Sequence, residues 1–208
     1  ALNHGSDISR PYEINISLYD ALKGTTQGPD QYNHARFICA HAIMLALEGI
    51  PAFYFHSLFA THNDEKRLAK TGQNRSINRH RWELAALEEA LSNGSEHQQA
   101  FEALSHLILI RKNNPAFHPN ATQFTLHMPT SGHLNHIFAF WRQSMDREQS
   151  IFCINNVTNA PQSISLADLN LVTLDEWQDL LSGESYKDHK ASIELAPYQS
   201  LWLSNKVY

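Results

Sequence analysis

A short apolar run followed by a long polar segment constrains the fold of this chain more than any other feature. Residues 49–55 read Gly-Ile-Pro-Ala-Phe-Tyr-Phe, and a mostly polar segment then runs on to His80. An apolar run this short, entered through Gly-Ile-Pro and left through polar residues, is typical of a buried parallel strand rather than a helix. The sequence therefore predicts a strand at 51–55 with a long loop after it.

Helical patterns flank this predicted strand. Upstream, residues 32–47 place Phe37, Met44 and other apolar side chains on one stripe, as a buried helix does. Downstream, residues 81–91 and 95–112 have helical spacing, and an Asn-Asn-Pro sequence stops the second of them. Helix, strand, long polar loop and helix in this order are typical of a (β/α)8 barrel, in which the loops at the strand ends carry the chemistry.

The residues of this region carry a family resemblance. The Gly-Ile-Pro-Ala-Phe-Tyr sequence at 49–54 resembles the eighth barrel strand of the α-amylase family, glycoside hydrolase family 13. The pair Asn63-Asp64, followed by Asn-Arg-Ser-Ile-Asn-Arg-His at 74–80, resembles the branch that contains sucrose phosphorylases and glucosylglycerate phosphorylases. The strand is shared widely in the family, whereas its combination with the Arg-x-Ile-Asn-Arg block is more specific to the branch.

This resemblance implies an α/β plus all-β architecture. Residues 1–117 would be the last βα units of a TIM (β/α)8 barrel, and residues 118–208 a C-terminal antiparallel β-sandwich domain. From Phe117 onward the apolar period does change from helical to two residues, as expected of short strands separated by turns. The predicted strands lie at 124–128, 136–142, 150–156, 162–166, 192–195 and 199–203.

The same resemblance implies an acceptor site but no catalytic residues in this chain. Alternating apolar residues predict a half-buried strand at 11–19, and in the phosphorylase branch Tyr12 and Glu13 would lie beside the acceptor subsite. Arg75 would bind phosphate or the acceptor, because a planar guanidinium forms paired hydrogen bonds to an anion. Plainer roles remain open: Tyr12 as a core side chain, and Arg75 as a loop residue bound to backbone carbonyls. Glu13 would repel phosphate if it pointed into the site.

Catalysis of this type needs a carboxylate nucleophile and a protonated carboxyl roughly 5 to 5.5 Å apart. None of the carboxylates before Arg75 lies in the family's catalytic motifs; they are Asp7, Glu13, Asp20, Asp30, Glu48, Asp64 and Glu65. The chain alone is therefore expected to be inactive and to act as the C-terminal portion of a longer enzyme. That enzyme would transfer glucose to inorganic phosphate by retaining double displacement.

Composition excludes several other classes of function. A net charge of -5 without a basic run argues against nucleic acid as a partner, and no apolar run reaches the length of a membrane span. The 13 histidines and two cysteines lack metal-ligand spacing, so we expect no metal and no cofactor other than phosphate as co-substrate. Two reduced core thiols would suit the cytoplasm.

The same residues fit two alternative functions and do not identify the acceptor. The chain could be a non-catalytic carbohydrate-binding or assembly module, or part of a hydrolytic amylase or glucosidase. The residues do not decide between fructose, glycerate or another acceptor. Because the sequence starts at Ala1 without a signal-peptide pattern, it is expected to be a piece of a longer protein. Such a piece should associate with the missing N-terminal part or with itself through the unpaired edges of the predicted strand.

Overall fold

The computed structural model describes residues 14–126, 136–169, 176–188 and 190–208. Its α-helices are α1 (Leu18–Ala21), α2 (Asn33–Ala46), α3 (Phe55–Leu58), α4 (Glu65–Thr71), α5 (Leu84–Ala90) and α6 (Glu96–Asn113). Its strands are β1 (Gly24–Thr25), β2 (Gly28–Pro29), β3 (Thr122–Leu126), β4 (Ile137–Gln143), β5 (Ser150–Asn156), β6 (Gln162–Ser165), β7 (Trp177–Asp179), β8 (Ser185–Tyr186), β9 (Ser192–Leu195) and β10 (Ser200–Ser204). Short 3-10 helices cover Asn74–Asn78, Pro115–Phe117 and Leu166–Leu169. Helices thus predominate in the first part, which also contains the short antiparallel pair β1 and β2, and antiparallel sheets predominate in the second.

The two long helices confirm the helical patterns read from the sequence. Helix α2 buries Phe37 and Leu45 completely or nearly so, as its apolar stripe predicts. Helix α6 begins where the Ser95 hydroxyl accepts a hydrogen bond from the backbone N–H of Gln98, which is the expected N-cap arrangement. The helix predicted at 81–91 is shorter and forms α5.

The sheets confirm the predicted strands within the described residues. Strands β3, β4, β5, β10, β7 and β8 form one antiparallel sheet in that order, and β6 pairs with β9 in a second. Strands β5 and β9 have the predicted bounds, and β3, β4, β6 and β10 differ from the predictions by one or two residues. Residues 127 and 128 of the first predicted strand lie outside the described residues. The short strands β7 and β8 were not among the predicted strands.

One hydrophobic cluster joins the helices to the large sheet. Side chains from α2 and α6 pack with Phe140, Cys153 and Trp202 of the sheet, and Phe117 contacts Trp202 with ring centroids 4.7 Å apart. Burying each large apolar side chain contributes about 1.5–3 kcal/mol. The predicted domain boundary near residue 118 stays a prediction, because this shared core does not test it.

A second cluster lies on the other face of the sheet. It contains Ile154, Trp177, Leu195 and Leu203 from several strands, together with Leu166 from a 3-10 helix. Because successive residues of a strand point to opposite faces, β5 and β10 contribute to both clusters. The sheet is therefore buried on both sides at its centre.

Two of the strands predicted from the sequence, at 51–55 and at 11–19, are wrong in the residues that the structure describes. Residues 51–54 lie outside any strand, Phe55 begins α3, and the side chain of Ile50 is 85% exposed. A strand needs a hydrogen-bonded neighbour, and none pairs with this segment in the described part of the chain. The described end of the strand predicted at 11–19 is also not a strand, because Ser17 caps a helical turn at Leu18–Ala21 through the backbone N–H of Asp20.

The long polar loop after residue 55 is likewise more structured than predicted. It contains α3, α4 and the 3-10 helix at Asn74–Asn78. The signals for α4 are local: Asp64 accepts from the backbone N–H of Arg67, and Gly72 ends the helix in the left-handed conformation, with φ 63°. Caps of this kind are visible in the sequence, and an apolar period alone does not detect them.

In the described ranges no helix is both long and apolar enough to cross a lipid bilayer. Cys39 and Cys153 are both buried free thiols.

Candidate functional site

The 3-10 turn at Asn74–Asn78 carries the residue that the sequence singles out, and three hydrogen bonds hold it. The backbone N–H of Asp64 donates to the carbonyl of Ile77 at 2.6 Å. The hydroxyl of Thr71 bonds to that of Ser76 at 2.7 Å, and Tyr54 donates to the carbonyl of Asn78 at 3.1 Å. Ser76 and Ile77 are buried, whereas Arg75, which precedes them in the same turn, is exposed. These hydrogen bonds and the two buried residues hold the turn in place, and Arg75 lies on its exposed side.

Asp64 organises both sides of this turn. One of its carboxylate oxygens caps α4, and the other lies 2.7 Å from Nδ1 of His80, just beyond the turn. The backbone N–H of Arg67 and the His80 ring lower the pKa of Asp64 below its ordinary value, since both favour the ionised carboxylate. A single side chain therefore ties the start of α4 to the residue that follows the turn.

A second hydrogen-bond network adjoins the same segment and is centred on His62. Its Nδ1 is 2.6 Å from Oδ1 of Asp20, and its Nε2 is 2.7 Å from Oε1 of Glu96. The hydroxyl of Tyr19 donates to the other oxygen of Glu96 at 2.7 Å, and the backbone N–H of Asn63 donates to Oδ2 of Asp20 at 2.7 Å. Helices α1 and α6 are therefore bonded to residues 62–63.

This network changes the acidity of its members. Burial opposes the charge on His62, but the hydrogen bonds to Glu96 and Asp20 prevail and raise its pKa above the ordinary value. The pKa values of Asp20 and Glu96 are lowered despite burial, because donors surround their carboxylates. Burial and the bond to Glu96 raise the pKa of Tyr19. The cluster is thus an ion triad whose central imidazole favours its protonated form.

Two cavities flank these networks. One, of about 250 Å³, is lined by side chains that include Tyr19, Tyr54, His56 and Asn78. The other, of about 340 Å³, is lined by Asp64, Lys66, His80, Trp82 and His97, among others. Thr61 and His62 line both. Arg75 is exposed and is not a lining residue of either cavity.

Only some of the predicted site residues lie in the part of the chain that the structure describes. Tyr12 and Glu13 lie outside the described residues, and Arg75 is exposed on its anchored turn. Of the carboxylates considered from the sequence, Asp20 is bonded to His62 and Asp64 to His80. In the part of the chain that is described, no group of three or more His, Cys, Asp and Glu side chains is arranged to hold a metal ion.

Sequence reasoning missed the triad of Asp20, His62 and Glu96. Its members are 42 and 34 residues apart along the chain, and no spacing motif links them. The Asn63-Asp64 pair did draw attention to the right segment, but for its family resemblance rather than for its hydrogen bonds.

Comparison with solved structures defines the class of fold. The chain superposes on AmyP, solved in complex with maltose, with a TM-score of 0.67 and 14% sequence identity over 88% of this chain and 37% of that one. It also matches an α-amylase from Geobacillus thermoleovorans with a TM-score of 0.61 and 14% identity over 82% of this chain and 33% of that one. The fold is therefore one found within amylases of glycoside hydrolase family 13.

Sequence comparison is more specific. The chain is 34% identical to the glucosylglycerate phosphorylase of Allomeiothermus silvanus over 98% of its own length and 34% of that protein. It is 35% identical to the sucrose phosphorylase of Agrobacterium vitis over 62% of its own length and 24% of that protein. No family model matches the chain. The chain is similar to the glucosylglycerate and sucrose phosphorylase branch of family 13, and it spans about a third of the length of the relatives that it matches most fully.

Proposed function

We propose that this chain supplies the acceptor-side loop and the β-domain of an enzyme that transfers glucose between a glucoside and inorganic phosphate. The observation that carries the proposal is the exposed Arg75 on an anchored turn, in a chain related to glucosylglycerate and sucrose phosphorylases. A guanidinium on a fixed turn can bind phosphate with two parallel hydrogen bonds at little cost in loop entropy.

The proposed reaction is a double displacement that retains the configuration of the sugar. A carboxylate forms a covalent bond to the anomeric carbon while an acid protonates the leaving oxygen. A phosphate oxygen then attacks the anomeric carbon and the carboxylate leaves. We assign both reactive carboxyl groups to polypeptide outside this chain, and to Arg75 the task of holding phosphate, or the acceptor in the reverse direction. Tyr12 and Glu13 are proposed to lie on the same acceptor side.

We assign residues 1–117 to the last βα units of a (β/α)8 barrel and residues 118–208 to a C-terminal β-sandwich domain. Helices α2 and α6, and the antiparallel sheets after residue 121, support this division. The working partners are then a glucoside, phosphate and the N-terminal part of the same protein, without an organic cofactor.

A cytoplasmic location completes the proposal. Cys39 and Cys153 are both free and buried, which suits a reducing compartment, where thiols persist.

Replacing Arg75 tests the assigned role directly. In a protein that carries this chain together with the remaining length of its relatives, Arg75→Ala should lower kcat/KM for phosphate by about 10- to 100-fold, the value of one or two charge-assisted hydrogen bonds. Hydrolysis of the same glucoside, measured without phosphate, should change little, because water needs no guanidinium. Initial rates of sugar-phosphate and free-glucose release measure the two reactions.

The matched control is Arg79→Ala, which removes an exposed arginine that caps the end of the same turn. It should leave the preference for phosphate over water unchanged. Equal losses of phosphorolysis and hydrolysis in the Arg75 variant would discard the acceptor role, and a fully hydrolytic parent would favour the amylase alternative that the structural neighbours represent.

The arrangement of exposed aromatics disfavours a non-catalytic carbohydrate-binding module. Phe124 is 50% exposed and stacks on Trp141, whereas Phe138 is 37% exposed. Trp141 and Phe138 are three residues apart on β4, so they point to opposite faces. In the described strands of the large sheet, the exposed aromatics therefore form no row along one face.

An apolar surface supports association with further polypeptide. A cavity of about 510 Å³ is lined by apolar side chains that include Leu45, Ile50, Phe53 and Phe117. We expect the isolated chain to self-associate through this surface in sedimentation velocity runs, and Ile50→Gln to weaken that association. A monodisperse monomer at all concentrations would contradict this expectation.

A further inference from the structure

His62 is held by carboxylates at both ring nitrogens. Asp20 approaches Nδ1 at 2.6 Å and Glu96 approaches Nε2 at 2.7 Å. The carboxylates come from different elements, since Asp20 belongs to α1 and Glu96 is the first residue of α6. The three side chains therefore join segments that are far apart in the sequence.

This geometry selects one charge state of the imidazole. A neutral imidazole has one N–H donor and one bare nitrogen, whereas an imidazolium donates from both nitrogens. With a carboxylate oxygen on each side, the neutral ring would place a lone pair against a negatively charged oxygen. The cation forms two charge-assisted hydrogen bonds in the same positions.

Residues 62–64, which these hydrogen bonds hold, also support the turn that carries Arg75. Asn63, next to His62, donates its backbone N–H to Asp20, and its side-chain oxygen accepts from the backbone N–H of Ser17 at 2.7 Å. One residue further, the backbone N–H of Asp64 donates to Ile77 in the middle of the turn. Asn63 and Asp64 therefore connect His62 to the turn through backbone hydrogen bonds, and a change in the bonding of His62 affects the position of the turn.

We propose that His62 is a positioning residue: as a cation between Asp20 and Glu96 it locks residues 62–64, and through them the turn that carries Arg75, onto helices α1 and α6. Loss of the ring proton removes one of the two hydrogen bonds and loosens the turn. The proposal rests on the proposed function only for the meaning of Arg75; the lock itself is a property of this chain.

The titratable groups around His62 set the pH range of this lock. On α1 these are Asp20 and Tyr19, whose ring centroid is 5.2 Å from that of His62; on α6 they are Glu96 and His97, whose ring is 5.9 Å away. Lys23 also acts on Asp20. Because the pKa of His62 is raised, its contribution is complete below the ordinary histidine pKa of about 6.5 and is lost as pH rises through the higher folded value. The lowered pKa values of Asp20 and Glu96 confine the acid limit to pH below about 4.

Amide hydrogen exchange of the 208-residue chain tests this lock without any ligand. After correction for the intrinsic rate, protection at residues 74–78 should fall about three- to tenfold between pH 6 and pH 8.5, because the deprotonated ring loses one of its two charge-assisted hydrogen bonds. His62→Gln, which keeps a polar group but cannot titrate, should show weaker protection that no longer changes over this range. An unchanged profile in His62→Gln would overturn the proposal.

The matched control is His80→Gln, since His80 faces a single carboxylate of the same segment. It should keep the pH-dependent change that His62→Gln loses. NMR titration of the His62 ring should also give a pKa above 6.5, and Asp20→Asn should lower it; an ordinary value in both proteins would contradict the lock. Because none of these measurements uses phosphate, they can fail while the role of Arg75 stands, and the reverse.

Discussion

Arg142→Ala is expected to lower the free energy of unfolding by about 3 to 5 kcal/mol, because it removes buried donors together with the packing of a long side chain. Arg142 is 0% exposed, and its guanidinium donates to the carbonyls of Ala46 at 2.6 Å and His118 at 2.8 Å. Ala46 is the last residue of α2, where carbonyls lack partners within the helix. Urea titration, with the midpoint and slope fitted together, measures the loss.

Arg142→Met separates the hydrogen bonds from the packing, because it retains an unbranched apolar stem. We expect a loss of about 2 to 4 kcal/mol, the cost of leaving the carbonyls of Ala46, His118 and Ala121 without these donors. The matched control is Lys112→Ala, which removes an exposed cation from the last turn of α6 and should change stability by less than about 0.5 kcal/mol. A methionine variant as stable as the wild type would show that the carbonyls find other partners.

The reason for such a large effect is that α2 has no basic residue in its own last turn. Arg111 of α6 supplies a second guanidinium there, donating to the carbonyls of Leu45, Leu47 at 3.1 Å and Gly49 at 2.7 Å. Cations at a helix C-terminus are favoured by the helix dipole. Two arginines from other elements thus replace the local cap that the sequence of α2 lacks.

Asn156→Ala is expected to cost about 2 to 4 kcal/mol, because this buried amide satisfies several backbone groups at once. Its Nδ2 donates to the carbonyls of Ala160, Leu195 and Ala196 at 2.8, 3.2 and 2.9 Å, and its Oδ1 accepts from the backbone N–H of Thr158 at 2.9 Å. Asn156 ends β5 in the large sheet, and Leu195 ends β9 in the small one. The side chain therefore bonds the two sheets to each other.

The control for this prediction lies three residues away. Asn159 is exposed, and Asn159→Ala should change the free energy of unfolding by less than about 0.5 kcal/mol. Equal effects of the two substitutions in thermal and urea unfolding would refute the linking role of Asn156.

The sequence predicted the elements whose signals are periodic. Helices α2 and α6 and most strands after residue 121 follow patterns of apolar residues, and the structure confirms them. The strand expected at 51–55 failed because its apolar residues indicate burial, whereas strand formation also needs a neighbouring strand. The strand predicted at 11–19 overlaps the helical turn of Leu18–Ala21 at its first two residues, because a period of two over few residues does not exclude a short capped helix.

The candidate site divides in the same way. The motif around Arg75 and the Asn63-Asp64 pair were visible in the sequence, and the relationship to phosphorylases is confirmed by the comparisons. The roles of Arg75, Tyr12 and Glu13 stay predictions. The ion triad at His62 was not foreseen, because its partners meet only after three separate segments have packed together.

The sequence by itself therefore determined the resemblance to phosphorylases, the long helices and the strand periods of this protein, since these follow from local patterns and from motifs that are contiguous in the chain. Only the tertiary structure decided which charges are paired. Arg142 reaches Ala46 across 96 residues, and His62 reaches Asp20 across 42. The physical reason is that a polar side chain carries the same signal in every context, and its partner is set by which backbone groups and carboxylates the packed core leaves without hydrogen bonds.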